Sequence, residues 1–192
     1  MGRPRTFDTE DAIRAATRTF RTHGYADSSP QLLAEAIGIG KGSLYHAFGS
    51  KHDLFMTCLS QYADENYDDF IRDLAGTEPA RDRVRRVFEA TVAADRSDPD
   101  HSGCLIVNTA TERGMSDTAA SNVVWNSIAR TRTALRDVLE EGVERGEIPG
   151  DRDLDALADM LQCTMIGLRV LGRVSENDDH VRTVIEAAVT HI

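Results

Sequence analysis

The amino-acid sequence predicts an all-α protein, and three observations carry that prediction. Apolar residues recur at three- and four-residue intervals over long stretches, which is the spacing of one helix face. Only five prolines interrupt runs rich in Ala, Leu, Arg and Glu, residue types that favour the helix intrinsically. Alternation of apolar and polar residues, as a half-buried strand requires, is absent over any useful length.

The chain opens with Gly2-Arg3-Pro4-Arg5-Thr6. This reads as a basic arm whose Arg3 and Arg5 reach phosphates or a minor groove, or as a terminus frayed in solvent. A first helix is expected from about Thr9 to His23, with Asp8 as its N-cap and Gly24 at its C-terminal end. Ile13, Ala16, Thr17 and Phe20 form its apolar face.

The stretch Ser28–Lys51 reads as two short helices joined by a tight turn. Ser29 followed by Pro30 fits a cap and a proline in the first helical position. Leu33, Ala36 and Ile37 fall at helical spacing, and so do Leu44 and Phe48. Gly38-Ile39-Gly40 is too glycine-rich to continue a helix, and Ile39 can plug the angle between the two. Gly40 is a weak cap for the second helix. That helix offers Lys41, Gly42, Ser43, Tyr45 and His46 near its start, the end that a recognition helix inserts into the major groove. His46 fits a phosphate contact or a plain exposed position. Ser50 with Asp53 three residues on forms a capping box with Asp in place of Glu.

A fourth helix is expected over Lys51 to about Leu74. Its stripe of Leu54, Phe55, Cys58, Leu59 and Tyr62 begins in the small N-terminal domain and continues beyond it. Gly76–Pro79 breaks it, and Val84, Val87, Phe88, Thr91 and Val92 mark a fifth. Ser97-Asp98-Pro99-Asp100 is a loop. A short helix occupies Gly103–Thr111. A long one runs from about Asp117 to Arg145, and Gly146–Gly150 is a firm turn. The last two helices are expected at about Asp153–Arg173 and Asp178–Thr190. The first of them is apolar on more than one side, which calls for a second burial partner. Either other helices of the same chain supply it or a second subunit does, in a four-helix arrangement. The dimer reading places Leu157, Leu161, Met165, Leu168, Val181, Val184, Ile185 and Ala188 at the subunit interface. The domain expectation is a DNA-binding domain at 1–50 and a ligand-binding and dimerisation domain at 51–192.

The net charge of −10 is unevenly distributed: residues 1–52 carry +2 and the remainder −12. Both lysines, Lys41 and Lys51, lie in the basic part. Such a distribution orients a protein toward phosphate, although a general preference for Arg also explains it. No apolar run approaches the length of about 20 residues that a bilayer needs. No apolar segment follows Met1, so a signal peptide is not expected and the cytoplasm is. Three widely spaced cysteines, Cys58, Cys104 and Cys163, suit reduced thiols better than a disulfide framework or a zinc site. The histidines lack ligand spacing, so no metal is expected. Gly38–Ser43 has a glycine where a phosphate-binding loop needs Ser or Thr after the Lys, and no strand in front, so no nucleotide cofactor is expected. No nucleophile–base pair or convincing carboxylate pair marks an enzyme.

On Leu33-Ala34, Ala36-Ile37-Gly38-Ile39, Lys41-Gly42, Leu44-Tyr45, Phe48, Lys51 and Leu54-Phe55, the sequence resembles the TetR-type repressor family (TetR/AcrR). Weaker similarity continues through Gly103–Asn108, Gly146-Glu147-Ile148 and Gly167–Leu171. The resemblance implies about nine helices, an N-terminal domain that reads an operator, a ligand cavity in the larger domain and a homodimer formed by the last two helices. It places Ser29 and Gln31 on the positioning helix and gives Lys51 a phosphate contact. Gly40 and Pro30 depart from the residues usual in the family at those positions.

Tyr62, Phe88, Asn108, Trp125, Met160 and Thr164 mix aromatic surface with polar handles and are candidates for the cavity wall, although each also fits an ordinary core. Cys104 joins them. At the head of a helix its thiolate is favoured by the helix dipole, so it senses electrophiles or oxidants, or it is a buried thiol. The expected function is a regulator, a repressor released from a palindromic operator by a small molecule. The alternatives are a thiol-sensing regulator acting through Cys104, and a helical ligand-binding protein without DNA recognition.

Overall fold

The computed structural model describes residues 7–174 and 178–192. Among the described residues there are nine helices and no strand: α1 (Thr9–Asp27), α2 (Pro30–Ile37), α3 (Lys41–Phe48), α4 (Lys51–Leu74), α5 (Ala80–Ser97), α6 (Leu105–Arg113), α7 (Thr118–Glu144), α8 (Leu154–Val174) and α9 (Asp178–Thr190). They form two compact units. One comprises the described part of Met1–Ala63 together with Cys104–Val124, the other Asp64–Gly103 together with Trp125–Ile192. Helices α4 and α7 contribute residues to both.

Local chemistry sets the helix starts. The Asp8 carboxylate accepts from the N–H groups of Glu10 (2.8 Å) and Asp11 (3.0 Å), which satisfies two of the orphan donors of a helix N-terminus. Ser29 Oγ accepts from Leu32 N–H at 3.1 Å, with Pro30 in the first helical position. Gly38 closes α2 at φ 77°, a conformation open to glycine at little cost. Gly40 caps α3 without a side-chain hydrogen bond. Ser50 and Asp53 form the reciprocal capping box: Asp53 N–H donates to Ser50 Oγ and Ser50 N–H to Asp53 Oδ2, both at 3.0 Å.

The expected end of α1 at Gly24 is instead a break. The chain turns at φ 76° and ψ 175°, then completes a further turn to Asp27.

The first unit is built on aromatic packing. Phe20 and Phe55 are almost fully enclosed, edge to face with ring centroids 5.1 Å apart, and the Tyr25 ring lies 4.8 Å from Phe55. Leu33 and Leu44, one from each short helix, are completely buried beside Leu54, Cys58 and Leu59 of α4. On α2 the inward residue beside Leu33 is Ala34, whereas Ala36, expected inside, is exposed.

The second unit packs α5 against α8 and α9, and α8 against α9. One continuous core holds Val84, Phe88, Leu135, Leu139, Leu161, Leu168, Ile185 and Val189. Two buried polar links cross it. Arg169 of α8 donates to Asp95 of α5 (3.3 Å) and to Asn66 of α4 (2.8 Å). Thr131 of α7 donates to Gln162 of α8 at 2.9 Å.

This core corrects the expected subunit interface. Leu157, Leu161, Met165, Leu168, Val181, Ile185 and Ala188 are all buried within the chain, and Val184 is partly buried against the same cluster. The face of α5 already covers the main stripe of α8, so those side chains have almost no area left for a partner. The outward line on α8 is Cys163, Gly167, Val170 and Val174, with Val170 49 % and Val174 72 % exposed.

Candidate nucleic-acid interface

Helix α3 presents the site. Leu44 is its single buried residue, and that anchor fixes the rotation of the helix. Lys41, Gly42, Ser43, Tyr45 and His46 are consequently all exposed, as an outward polar face. Tyr45 is 44 % exposed despite its size. Its ring is apolar enough to meet a thymine methyl and its hydroxyl can meet a phosphate. A Cβ added at Gly42 would have no atom within 4 Å, so the backbone there is open to close approach. Lys41 sits in the first turn of α3, where unpaired N–H groups and the helix dipole add positive potential for an anion.

Helix α2 contributes less than expected. The Ser29 hydroxyl is engaged in capping its own helix. Gln31 is exposed, with its amide donating to Glu35 at 2.5 Å. Arg3 and Arg5 lie outside the described residues.

Lys51, given a phosphate contact by the resemblance, has partners within the chain. Its ammonium donates to the Ala26 carbonyl at 3.2 Å and stands 4.4 Å above the Tyr25 ring. Burial is the main cause that holds its pKa below the usual lysine range, with the neighbouring Arg113 adding to it. The amine thus joins α1 to α4 through the Ala26 carbonyl and the Tyr25 π-face.

The expected ligand residues are divided between the two units. In the first unit, Tyr62 lies beneath the Arg21 guanidinium, 5.6 Å from its ring centroid. Asn108 donates to the Arg21 carbonyl at 3.2 Å, so these two residues meet at Arg21. Cys104 is 4 % exposed and occupies the N-cap position of α6 without a side-chain cap bond. In the second unit, Phe88 is fully buried in the core, and Met160 packs against that core. The Thr164 hydroxyl donates back to the Met160 carbonyl at 2.9 Å. Trp125 is 67 % exposed, which contradicts a place on an enclosed wall: its position on α7 faces away from the residues that α5 and α8 bury. A surface cleft of about 290 Å³ is lined by Pro79, Ala80, Arg81, Asp82, Glu147, Ile148 and Ile192, none of them an expected ligand residue. Glu147 closes part of it by accepting from Ala80 N–H at 2.8 Å.

Two profiles of known families match the chain. "Bacterial regulatory proteins, tetR family" covers residues 12–57, the span of α1 to α3 and the start of α4. "Tetracyclin repressor-like, C-terminal domain" covers residues 80–188. The chain belongs to the TetR family. Among similar proteins, the uncharacterized HTH-type transcriptional regulator YezE of Bacillus subtilis is 26 % identical, over 99 % of this chain and 98 % of its own length. The HTH-type transcriptional repressor ComR of Escherichia coli is 29 % identical, over 90 % of this chain and 82 % of its own. Among solved structures, a cysteine mutant of the TetR family regulator CifR, complexed with 26-bp double-strand operator DNA, has a TM-score of 0.87 at 30 % identity, covering 98 % of each chain. FadR of Bacillus subtilis in complex with stearoyl-CoA shares the fold at 20 % identity and a TM-score of 0.76.

Sequence reasoning missed two features of this TetR-family chain. One is the pair Asn108 and Glu112 of α6, whose side chains reach the broken end of α1; their four-residue spacing put them on one face, but the acceptor and donors they meet lie more than eighty residues away. The other is that the off-stripe side of α8 is its outward line. Cys163, Gly167, Val170 and Val174 fall at helical spacing, but the larger leucines of the neighbouring stripe dominated the pattern.

Proposed function

We propose that the protein is a transcriptional repressor that binds operator DNA as a homodimer and is released by a small-molecule effector. One observation carries this reading: α3 exposes Lys41, Gly42, Ser43, Tyr45 and His46 together, while Leu44 is buried on the opposite side. That is how a recognition helix is mounted, with its early residues free to meet base edges and phosphates. The operator-bound CifR structure, at 30 % identity over nearly the whole chain, supports operator binding.

Two copies place two α3 helices in successive major grooves, about 34–36 Å apart on a near-palindromic site. The outward line Cys163–Val174 on α8 is the face offered to the second copy. The effector acts by binding one arrangement of the helices better than the other, with α4 as the element that belongs to both units. Operator binding places the regulator's work in the cytoplasm; no described helix is long and apolar enough to cross a membrane. For the thiol-sensing alternative, the burial of Cys104 at 4 % exposure removes the access that an oxidant or electrophile needs. Burial likewise pushes the Cys58 thiol up to about 11.

The test is selection of bound duplexes from a random pool. The expected product is a two-fold symmetric site, bound less tightly by Lys41→Ala and Tyr45→Ala. An unenriched pool refutes the DNA-binding reading.

A further inference from the structure

The break in α1 is bridged from outside. In an uninterrupted helix the N–H of Tyr25 bonds to the carbonyl of Arg21, and that of Ala26 to Thr22. At Gly24 the backbone leaves the helix, so these groups need other partners. Helix α6 supplies them. Asn108 Nδ2 donates to the Arg21 carbonyl at 3.2 Å. One turn further along, the Glu112 carboxylate accepts from Tyr25 N–H through one oxygen and from Ala26 N–H through the other, each at 2.7 Å. Donor and acceptor of a single lost helix rung are therefore both satisfied by side chains spaced i, i+4 on α6. Such charge-assisted bonds are the stronger kind.

The surroundings lock the same point. Arg113 stands 4.5 Å from the Tyr25 ring centroid, as Lys51 does at 4.4 Å. Arg113 also pairs with Asp117 at 3.2 Å, and Asp117 with His52 of α4 at 2.9 Å. The segment held here leads directly into α2. Ser28 Oγ donates to the Gly24 carbonyl at 2.6 Å, and Ser29 is the N-cap of α2. Gly24 is required: a Cβ there would lie 2.8 Å from Glu112 Oε2, at a φ that L side chains rarely adopt.

We propose that Asn108 and Glu112 are positioning residues for operator binding, a staple through which α6 fixes the entry to α2 and thereby the pose of α3. A turn or axial shift of α6 undoes all three bonds together, so the staple is also the point at which a change in α6 loosens the reading head. The proposal rests on the DNA-binding reading given above.

The test uses the full chain, a duplex selected by the wild type, and the variants Glu112→Gln and Asn108→Ala. Two measurements are made: amide hydrogen exchange at Tyr25 and Ala26 in the free protein, and affinity for the selected duplex beside a random-sequence duplex. Glu112→Gln removes a negative charge, so simple electrostatics would strengthen binding to any duplex. The expected result is the reverse: affinity for the selected duplex falls about tenfold while the random duplex is bound no worse. Exchange at Tyr25 and Ala26 accelerates about tenfold, with the α5 core amides unchanged. Asn108→Ala produces the same pattern without a charge change, which covers the case of a Glu112 variant that folds poorly. Unaltered exchange in both variants overturns the staple. Faster exchange with unaltered affinity overturns the positioning role. If the wild type selects no duplex, the DNA-binding reading falls and the proposal with it; if it selects one that the variants bind equally, only the proposal falls.

Discussion

Replacing Lys41 by Ala tests the α3 face with little risk to the fold. Lys41 is the exposed first residue of a helix whose cap, Gly40, supplies no side-chain bond. A cation in the first turn opposes the helix dipole, and Ala is the best helix former, so stability should hold or rise slightly. The cost therefore falls on binding. One lysine that neutralises one phosphate contributes about 0.9 to the slope of log K against log salt, hence about 1.8 for the two copies of a dimer. Between about 50 and 200 mM salt, a fourfold change, the wild type should lose about twelvefold more affinity than the variant. Anisotropy titrations of the selected duplex across that range measure both slopes. Equal slopes would refute the phosphate contact, whatever the absolute affinities.

Three further outcomes follow from the same geometry. Leu44→Ala removes the one fully buried side chain of α3 and should destabilise the protein by about 2–5 kcal/mol, lowering the melting temperature and abolishing selected-duplex binding together. Val170→Glu places a charge on the outward line of α8, where Val170 is half exposed; sedimentation should then report a monomer with an unchanged circular dichroism spectrum, and a persisting dimer would move the interface elsewhere. Burial alone would raise the Asp117 carboxyl, but the Ala120 N–H, His52 and Arg113 outweigh it and hold it below the usual carboxylate range. A depressed folded value gives stability that is fully present above the unfolded pKa of about 4 and lost as pH falls through the folded one. The melting-temperature advantage of wild type over Asp117→Asn should accordingly shrink as the pH falls below about 4; an advantage that persists in acid would sink this account.

Much of the fold was legible because it rests on local chemistry. The bounds of α4, Lys51–Leu74, coincide with those expected from the capping box at Ser50 and the break at Gly76–Pro79, and α9 spans Asp178–Thr190 as its apolar spacing predicts. Caps at Asp8 and Ser29 were readable for the same reason, since cap and capped N–H lie within three residues. Burial register was less legible. On α8 the sequence shows apolar residues on two sides, and spacing alone does not say which side the chain covers by itself. Leu157, Leu161, Met165 and Leu168 went inward because α5 is long and apolar enough to receive them, and that fact belongs to another helix. The partners of Lys51 within the chain were likewise not legible, because Tyr25 and Ala26 lie about twenty-five residues earlier.

Gly24 shows why a reading head cannot be bounded by chain position. A glycine after an amphipathic run is the usual signal for a helix end, and the distinction between an end and a bridged break depends on Glu112, 87 residues away from Tyr25. The compact unit that contains α3 accordingly takes in α6 and the start of α7 as well as α1 to α4. A fragment ending at residue 50 would lack Leu54, Phe55 and Leu59, each 1 % exposed or less. At about 1.5–3 kcal/mol per buried side chain, those three alone withdraw about 5–9 kcal/mol. A whole domain commonly has only about 5–15 kcal/mol of net stability, and one this small lies toward the low end. The fragment would also leave Tyr25 and Ala26 N–H without the Glu112 carboxylate. It should therefore be unfolded by circular dichroism, whereas the full chain shows a cooperative melt; a folded, DNA-binding 1–50 fragment would mean that α4 and α6 do not complete the core in which α3 is anchored.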